Sequence, residues 1–116
     1  MKVIIAGGRN FNNYPELSEV CDQIIAEEPE VEIVSGTAKG ADELGEQYAD
    51  KNGLAVKQFP AKWDRYGKSA GPKRNGEMVD YADTLIAFWD GKSKGTENLI
   101  GLAEAADLKV KVVRYK

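Results

Sequence analysis

Four stretches of this chain combine glycines with side chains suited to holding an anion. They are Gly7-Gly8-Arg9-Asn10-Phe11, Ser35 through Asp42, Pro60 through Asn75, and Trp89 through Asn98. In the first, Gly7 and Gly8 allow a tight turn and close backbone approach, and Arg9 offers a planar fork to a phosphate or carboxylate. In the second, Ser35, Gly36, Thr37 and Gly40 lead into a helix whose first turn carries Asp42. Free N–H groups at a helix start attract an anion. The third has five Lys/Arg, including Arg65 and Arg74, with the rings of Trp63 and Tyr66 and the polar Asn75 beside Gly71. Cations of this kind suit phosphates, and aromatic faces suit a base or ring. The fourth places Trp89, Asp90, Ser93, Gly95 and Thr96 before another helix. None of the four has the spacing of a Walker A loop or of the GxGxxG dinucleotide fingerprint. Singly, each also reads as an ordinary turn, a Ser/Thr cap or a solvated basic loop, and Asp42 as a plain first-turn acid. Their common placement gives them weight.

Other chemistries are closed by composition. The chain has no histidine, which removes Ser-His-Asp, Cys-His and histidine-metal arrangements. Its one cysteine, Cys21, precludes an intrachain disulfide and is expected to be a small buried apolar residue. Carboxylates near the loops could serve as a general base: Asp42, Asp64, Asp90 or Glu97. That role requires a raised pKa and reach to a water or sugar hydroxyl. No metal or other cofactor is demanded, although a Mg²⁺ ion arriving with a phosphate ligand is compatible with these residues.

The elements that must position these loops follow from apolar patterning. The 116 residues suit one domain, 1–116. Strands are expected at Lys2–Ala6, Val31–Val34, Ala55–Phe59, Thr84–Phe88 and Val110–Val113. Helices are expected at Pro15–Glu28, Ala41–Lys51, Gly71–Tyr81 and Thr96–Asp107, with Pro60–Ser69 irregular. The first helix has Leu17, Val20, Cys21, Ile24 and Ile25 on one face. Alternating strands and helices imply an α/β fold: a Rossmann-like three-layer α/β/α domain with a mainly parallel five-stranded sheet. The strands read as apolar runs, buried on both faces. Ligands of open α/β sheets sit beyond the carboxyl ends of the strands, and all four loops follow strands.

The net charge of −3 gives no overall basic field, so nucleic acid is an unlikely partner, although basic residues cluster between Lys62 and Arg74. The apolar run at the N-terminus is too short for a signal peptide, and no run approaches the ~20 residues of a membrane span. The expected location is the cytoplasm, without membrane association. Apolar helix faces are compatible with a homo-oligomer, dimer or higher.

The motif blocks together resemble the SLOG superfamily, named for Smf/DNA-processing protein A and the Lonely Guy enzymes. Within it they are similar to the small stand-alone branch related to YspA, found in bacteria and phages. The blocks are Gly7-Gly8-Arg9-x-Phe11, Val34-Ser35-Gly36-x-Ala38-x-Gly40-Ala41-Asp42, Phe59-Pro60-Ala61-x-Trp63, Gly71-Pro72-x-Arg74-Asn75-x-x-Met78, and Ala82-Asp83-x-Leu85 through Gly91 with Ser93-x-Gly95-Thr96. The resemblance implies a Rossmannoid fold and a pocket for a nucleotide or nucleotide-derived ligand. Lonely Guy enzymes release a base from a nucleoside monophosphate with a PGGxGTxxE motif. Here the Gly95-Thr96 pair is present, the Pro-Gly-Gly start is absent, and Leu99 stands at the glutamate position. Arg74 matches an arginine of the family's helix that helps hold the ligand.

Three functions are consistent with these residues. The first is binding of a phosphate-bearing nucleotide derivative as a sensor or processing module. In it Gly36, Thr37, Gly95 and Thr96 face the phosphate, Arg9, Arg65 and Arg74 offset its charge, and Trp63, Tyr66 or Trp89 stacks on a ring. The second is a nucleotide-processing hydrolase, such as a nucleoside monophosphate N-glycosidase. The third is single-stranded DNA binding through the basic aromatic loop.

Overall fold

The computed structural model describes residues 1–116. In chain order the elements are β1 (Lys2–Gly7), α1 (Tyr14–Ile25), β2 (Glu32–Ser35), α2 (Ala41–Lys51), β3 (Ala55–Gln58), α3 (Trp63–Tyr66), a 3₁₀ turn (Gly67–Ser69), α4 (Ala70–Tyr81), β4 (Thr84–Trp89), α5 (Lys94–Ala105) and β5 (Lys109–Arg114). The five strands form one parallel sheet in the order β3-β2-β1-β4-β5. This is a Rossmann-like α/β fold.

Alternation along β1 divides the core. Val3 and Ile5 project into one layer with Leu17, Cys21, Tyr48 and Ala49 of α1 and α2. Ile4 and Ala6 project into the other with Met78, Leu99 and Ala103 of α4 and α5. The three central strands are therefore covered on both faces, as expected. The edge strands depart from that expectation. All four residues of β3 are exposed, and β5 alternates between exposed and half-buried. Polar Lys57 and Gln58 on β3, and Lys109 and Lys111 on β5, are compatible with an edge open to water and discourage further strand pairing.

Boundaries agree closely elsewhere. α1 ends at Ile25, before the polar Glu27-Glu28-Pro29 run, and not at Glu28. α5 begins at Lys94, two residues before Thr96, because Ser93 caps it. The segment expected to be irregular holds one helical turn, α3, and the 3₁₀ turn, which runs directly into α4. Cys21 is fully buried, and burial pushes its thiol up to about 12. No helix is long and apolar enough to cross a membrane.

The chain runs outward from β1 to β2 and β3, then crosses to β4 on the other side of β1. The order in which strands are added therefore reverses between β1 and β4, which remain parallel. Loops diverging at such a point leave a crevice beyond the carboxyl ends of the strands.

Candidate functional site

A cleft of about 370 Å³ occupies this crevice. Gly7 and Arg9 enter it from the end of β1, Ala38 and Asp42 from the start of α2, and Ser93 to Thr96 with Asn98 and Leu99 from the start of α5. Trp63, Gly71, Arg74 and Asn75 close it from α3 and α4. An adjoining hollow continues past Arg9, Trp63 and Arg74 to Gly36, Thr37 and Lys39. The helices of both layers thus meet at one place, and Arg9 and Arg74 belong to both hollows.

Arg74 crosses the cleft floor. Its Nη1 donates to the carbonyl of Gly36 and its Nε donates to Asn75 Oδ1 at 3.1 Å. Burial lowers its pKa from the ordinary arginine value; Asp42 works against that shift and Arg9 with it. Gly36 is glycine for want of room: a Cβ there would lie 2.8 Å from both Arg74 Nη1 and Asp42 Oδ2. Asn75, itself buried, ties α4 to α5 by donating to the Gly95 carbonyl at 3.2 Å and to Asn98 Oδ1 at 3.0 Å.

Asp42 is 5% exposed. Its carboxylate accepts from the Ala38 amide at 3.2 Å. Burial pushes its pKa up to about 6, with the Ala38 amide and Arg74 opposing that shift. Of the four candidate acids, it is the one that lines the cleft. Asp64 and Glu97 are exposed outside it. Asp90 accepts from the amides of Ser93 and Lys92, both at 2.8 Å, and those bonds hold its carboxyl below the usual range. No group of three or more carboxylates or thiolates is gathered where it could hold a metal ion.

The two helix starts differ. At α2 the loop uses its own amides: Thr37 N–H donates to Ser35 Oγ at 3.1 Å, and Ala38 N–H to Asp42. Thr37 also adopts a left-handed φ of 63°, unusual for a β-branched residue. At α5, Ser93 Oγ accepts from Thr96 N–H at 3.4 Å, while the amides of Lys94 and Gly95 make no hydrogen bond within the protein. Arg9 is exposed and its guanidinium makes neither a hydrogen bond nor an ion pair, since the single ion pair is Lys94–Glu97 at 3.8 Å.

The remaining expected residues lie around this site, not in it. Ser35 Oγ donates to Glu46 at 2.5 Å. Gly8 and Gly40 join two loops, through the Ala41 amide donating to the Gly8 carbonyl at 3.2 Å. Tyr66 is flanked by Arg65 at 5.4 Å and Lys73 at 4.6 Å, away from the cleft. Trp89 donates from Nε1 to the Ser93 carbonyl at 3.1 Å and supports the loop from behind. Trp63 is the ring that reaches the site, 50% exposed and packed against Gly71. Lys94, Asn98 and Met78 also line the cleft without being among the expected ligand-binding residues, and Leu99, expected only as the residue at the Lonely Guy glutamate position, lines it too. Asn98 follows Lys94 by one helical turn, which is the available signal. Leu99 is 2% exposed and belongs to the core.

Comparisons with known proteins agree with this architecture. A model of the YspA, cpYpsA-related SLOG family matches residues 1–66. The Gene 61 protein of Mycobacterium phage D29 is 31% identical, over 94% of this chain and 93% of that protein. DNA processing protein A from Streptococcus pneumoniae superposes with a TM-score of 0.79 at 19% identity, a likeness of fold. That match covers 99% of this chain and 50% of the larger one, so the chain spans half that protein's length. The matched residues include the Arg9 turn and the Ser35–Asp42 loop, and with them the chain belongs to the YspA, cpYpsA-related SLOG family.

Proposed function

We propose that the cleft binds a nucleotide or nucleotide-derived ligand through its phosphate. The observation that carries this reading is a pair of guanidinium groups, Arg9 and Arg74, sharing one cleft with no carboxylate within ion-pair distance of either. Asp42 already offsets the charge of Arg74 from one side, while Arg9 has no partner, so an anion would find its uncompensated cation at Arg9 with Arg74 beside it. The unengaged amides of Lys94 and Gly95 add donors at the positive end of α5. Trp63 offers an accessible ring face to a base. Any Mg²⁺ would arrive with the phosphate, held by its oxygens.

Isothermal titration with inorganic phosphate, AMP, ADP and adenosine tests the reading. At least one phosphate-bearing probe binds, adenosine does not, and Arg9→Ala weakens binding about tenfold, the worth of one charge-assisted contact. If the intact protein binds none of the phosphate-bearing probes, the reading is wrong.

A second reading, turnover of that ligand, is favoured by one observation: Asp42 is a buried carboxyl on the cleft with its pKa pushed up to about 6. Such a group can accept a proton near neutrality. It differs from the Lonely Guy arrangement, where the glutamate position corresponds to Leu99. Release of free base from AMP, abolished in Asp42→Asn, supports turnover; recovery of intact AMP after long incubation with bound protein removes it.

A further inference from the structure

The end of β5 lies outside the cleft, yet it holds two of the loops that form it. Tyr115 donates from its hydroxyl to Asn10 Oδ1 at 2.7 Å. Its ring meets Phe11 edge-on at 4.9 Å, and Phe11 stacks on Phe88 of β4 at 4.6 Å. The hydroxyl fills the space that a side chain at Gly8 would need. Arg114 does the same for the other loop. Its guanidinium lies 5.1 Å from the centre of the Trp89 ring and fills the space beside Gly91. Gly91 has a φ of 83°, which suits glycine and few other residues. The Tyr115 amide donates to the Trp89 carbonyl at 3.1 Å, so the two contacts are fastened to the same strand end.

These glycines therefore have a reason other than ligand approach. Gly8 and Gly91 leave room for two side chains from the last strand. Each contact leads to a group in the cleft. Asn10 follows Arg9, and Trp89 holds the carbonyl of Ser93, whose hydroxyl caps α5. Neither Arg114 nor Tyr115 lines the cleft itself.

We infer that Tyr115 is a positioning residue of the anion site: it fixes the loop that carries Arg9. The inference rests on the reading of the cleft as a phosphate site. Its physical basis is preorganisation. Arg9 has no partner of its own, so the order of its loop in the free protein depends on Phe11, Tyr115 and the Gly8 contacts. A loop ordered beforehand loses less entropy when an anion arrives.

Two measurements on the full chain test it. The first needs no ligand: hydrogen exchange of wild type and Tyr115→Phe, which keeps the ring and removes one hydrogen bond. Faster exchange confined to residues 7–13, with an unchanged thermal midpoint, is expected. Unchanged exchange there overturns the inference. The second titrates AMP into wild type, Tyr115→Phe, Arg9→Ala and the double variant. Tyr115→Phe weakens binding about three- to tenfold, and in the Arg9→Ala background it has no further effect, because it acts through Arg9. Equal weakening in both backgrounds, or none in either, contradicts the inference. Should wild type bind no phosphate probe at all, the phosphate reading fails, while the exchange comparison still decides whether Tyr115 orders the Arg9 loop.

Discussion

Arg74 on α4 donates to the main-chain carbonyl of Gly36, 38 residues earlier, and so ties the loop after β2 to the helix that walls the opposite side of the cleft. A cation used this way is both a brace and a binding group. Arg74→Lys keeps the charge and loses the fork that reaches Gly36 and Asn75 together. The expected cost is about 1–3 kcal/mol of folding stability, from partly buried acceptors left unpaired. Phosphate-probe affinity is expected to fall about tenfold or more. Urea denaturation and calorimetric titration read the two effects separately. Wild-type affinity in Arg74→Lys would show that the guanidinium serves the fold alone.

Gly36→Ala tests the same junction from the other partner. The new methyl would stand 2.8 Å from both Arg74 Nη1 and Asp42 Oδ2, so one of them must move. Overpacking of this kind destabilises by about 1–3 kcal/mol. The larger consequence is expected in binding, since the displaced groups line the cleft. If affinity in Gly36→Ala matches wild type while stability falls, the Arg74 position is not critical to the ligand.

Asp42 gives a pH prediction with a definite sign. Burial raises its folded pKa to about 6 from 3.8, so the folded state binds the proton more tightly than the unfolded chain. Stability from this group therefore increases as pH falls from above 6 toward 4, and is lost as pH rises through that window. Asp42→Asn removes the dependence. At pH 8 the variant is expected to be more stable than wild type by up to about 3 kcal/mol, the gap closing near pH 4. Urea midpoints across that range measure it. A gap that widens on acidification would mean that the carboxylate is favoured in the fold.

Ser93→Ala removes the cap of α5, where Ser93 Oγ accepts from Thr96 N–H and contacts Thr96 Oγ1 at 3.2 Å. About 1 kcal/mol of stability should be lost. Fraying of this turn should also weaken the phosphate probe, because the free amides of Lys94 and Gly95 lie in it. Thermal unfolding and titration of the variant check both parts. Full stability with reduced affinity would confine Ser93 to the ligand.

Much of the fold was legible because the signals were local. The apolar runs of β1, β2 and β4 and the spacing of Leu17, Cys21 and Ile25 act over a few residues, and Gly and Pro mark their ends. The exposure of β3 and β5 was not legible, because edge position is set by strand order, which depends on contacts across the whole chain. The same distinction applies to the site. Arg9, Asp42, Arg74 and Gly95 were identifiable as residues following strands. Tyr66, Arg65 and Trp89 belong to the same loops, but side-chain packing turns them elsewhere, onto Lys73, solvent and the Ser93 carbonyl. The part played by Tyr115 was hidden for a further reason. It sits 105 residues from Asn10, and no local pattern pairs them.

In the proposed function, groups from both helical layers act on one anion. Amide NMR of the labelled protein titrated with AMP tests this most directly. Resonances of Arg9, Ala38, Lys94, Gly95 and the Arg74 side chain are expected to shift together with a single affinity, and salt to reverse the shifts. Shifts confined to one loop, or scattered over the far edge of the sheet, would contradict it.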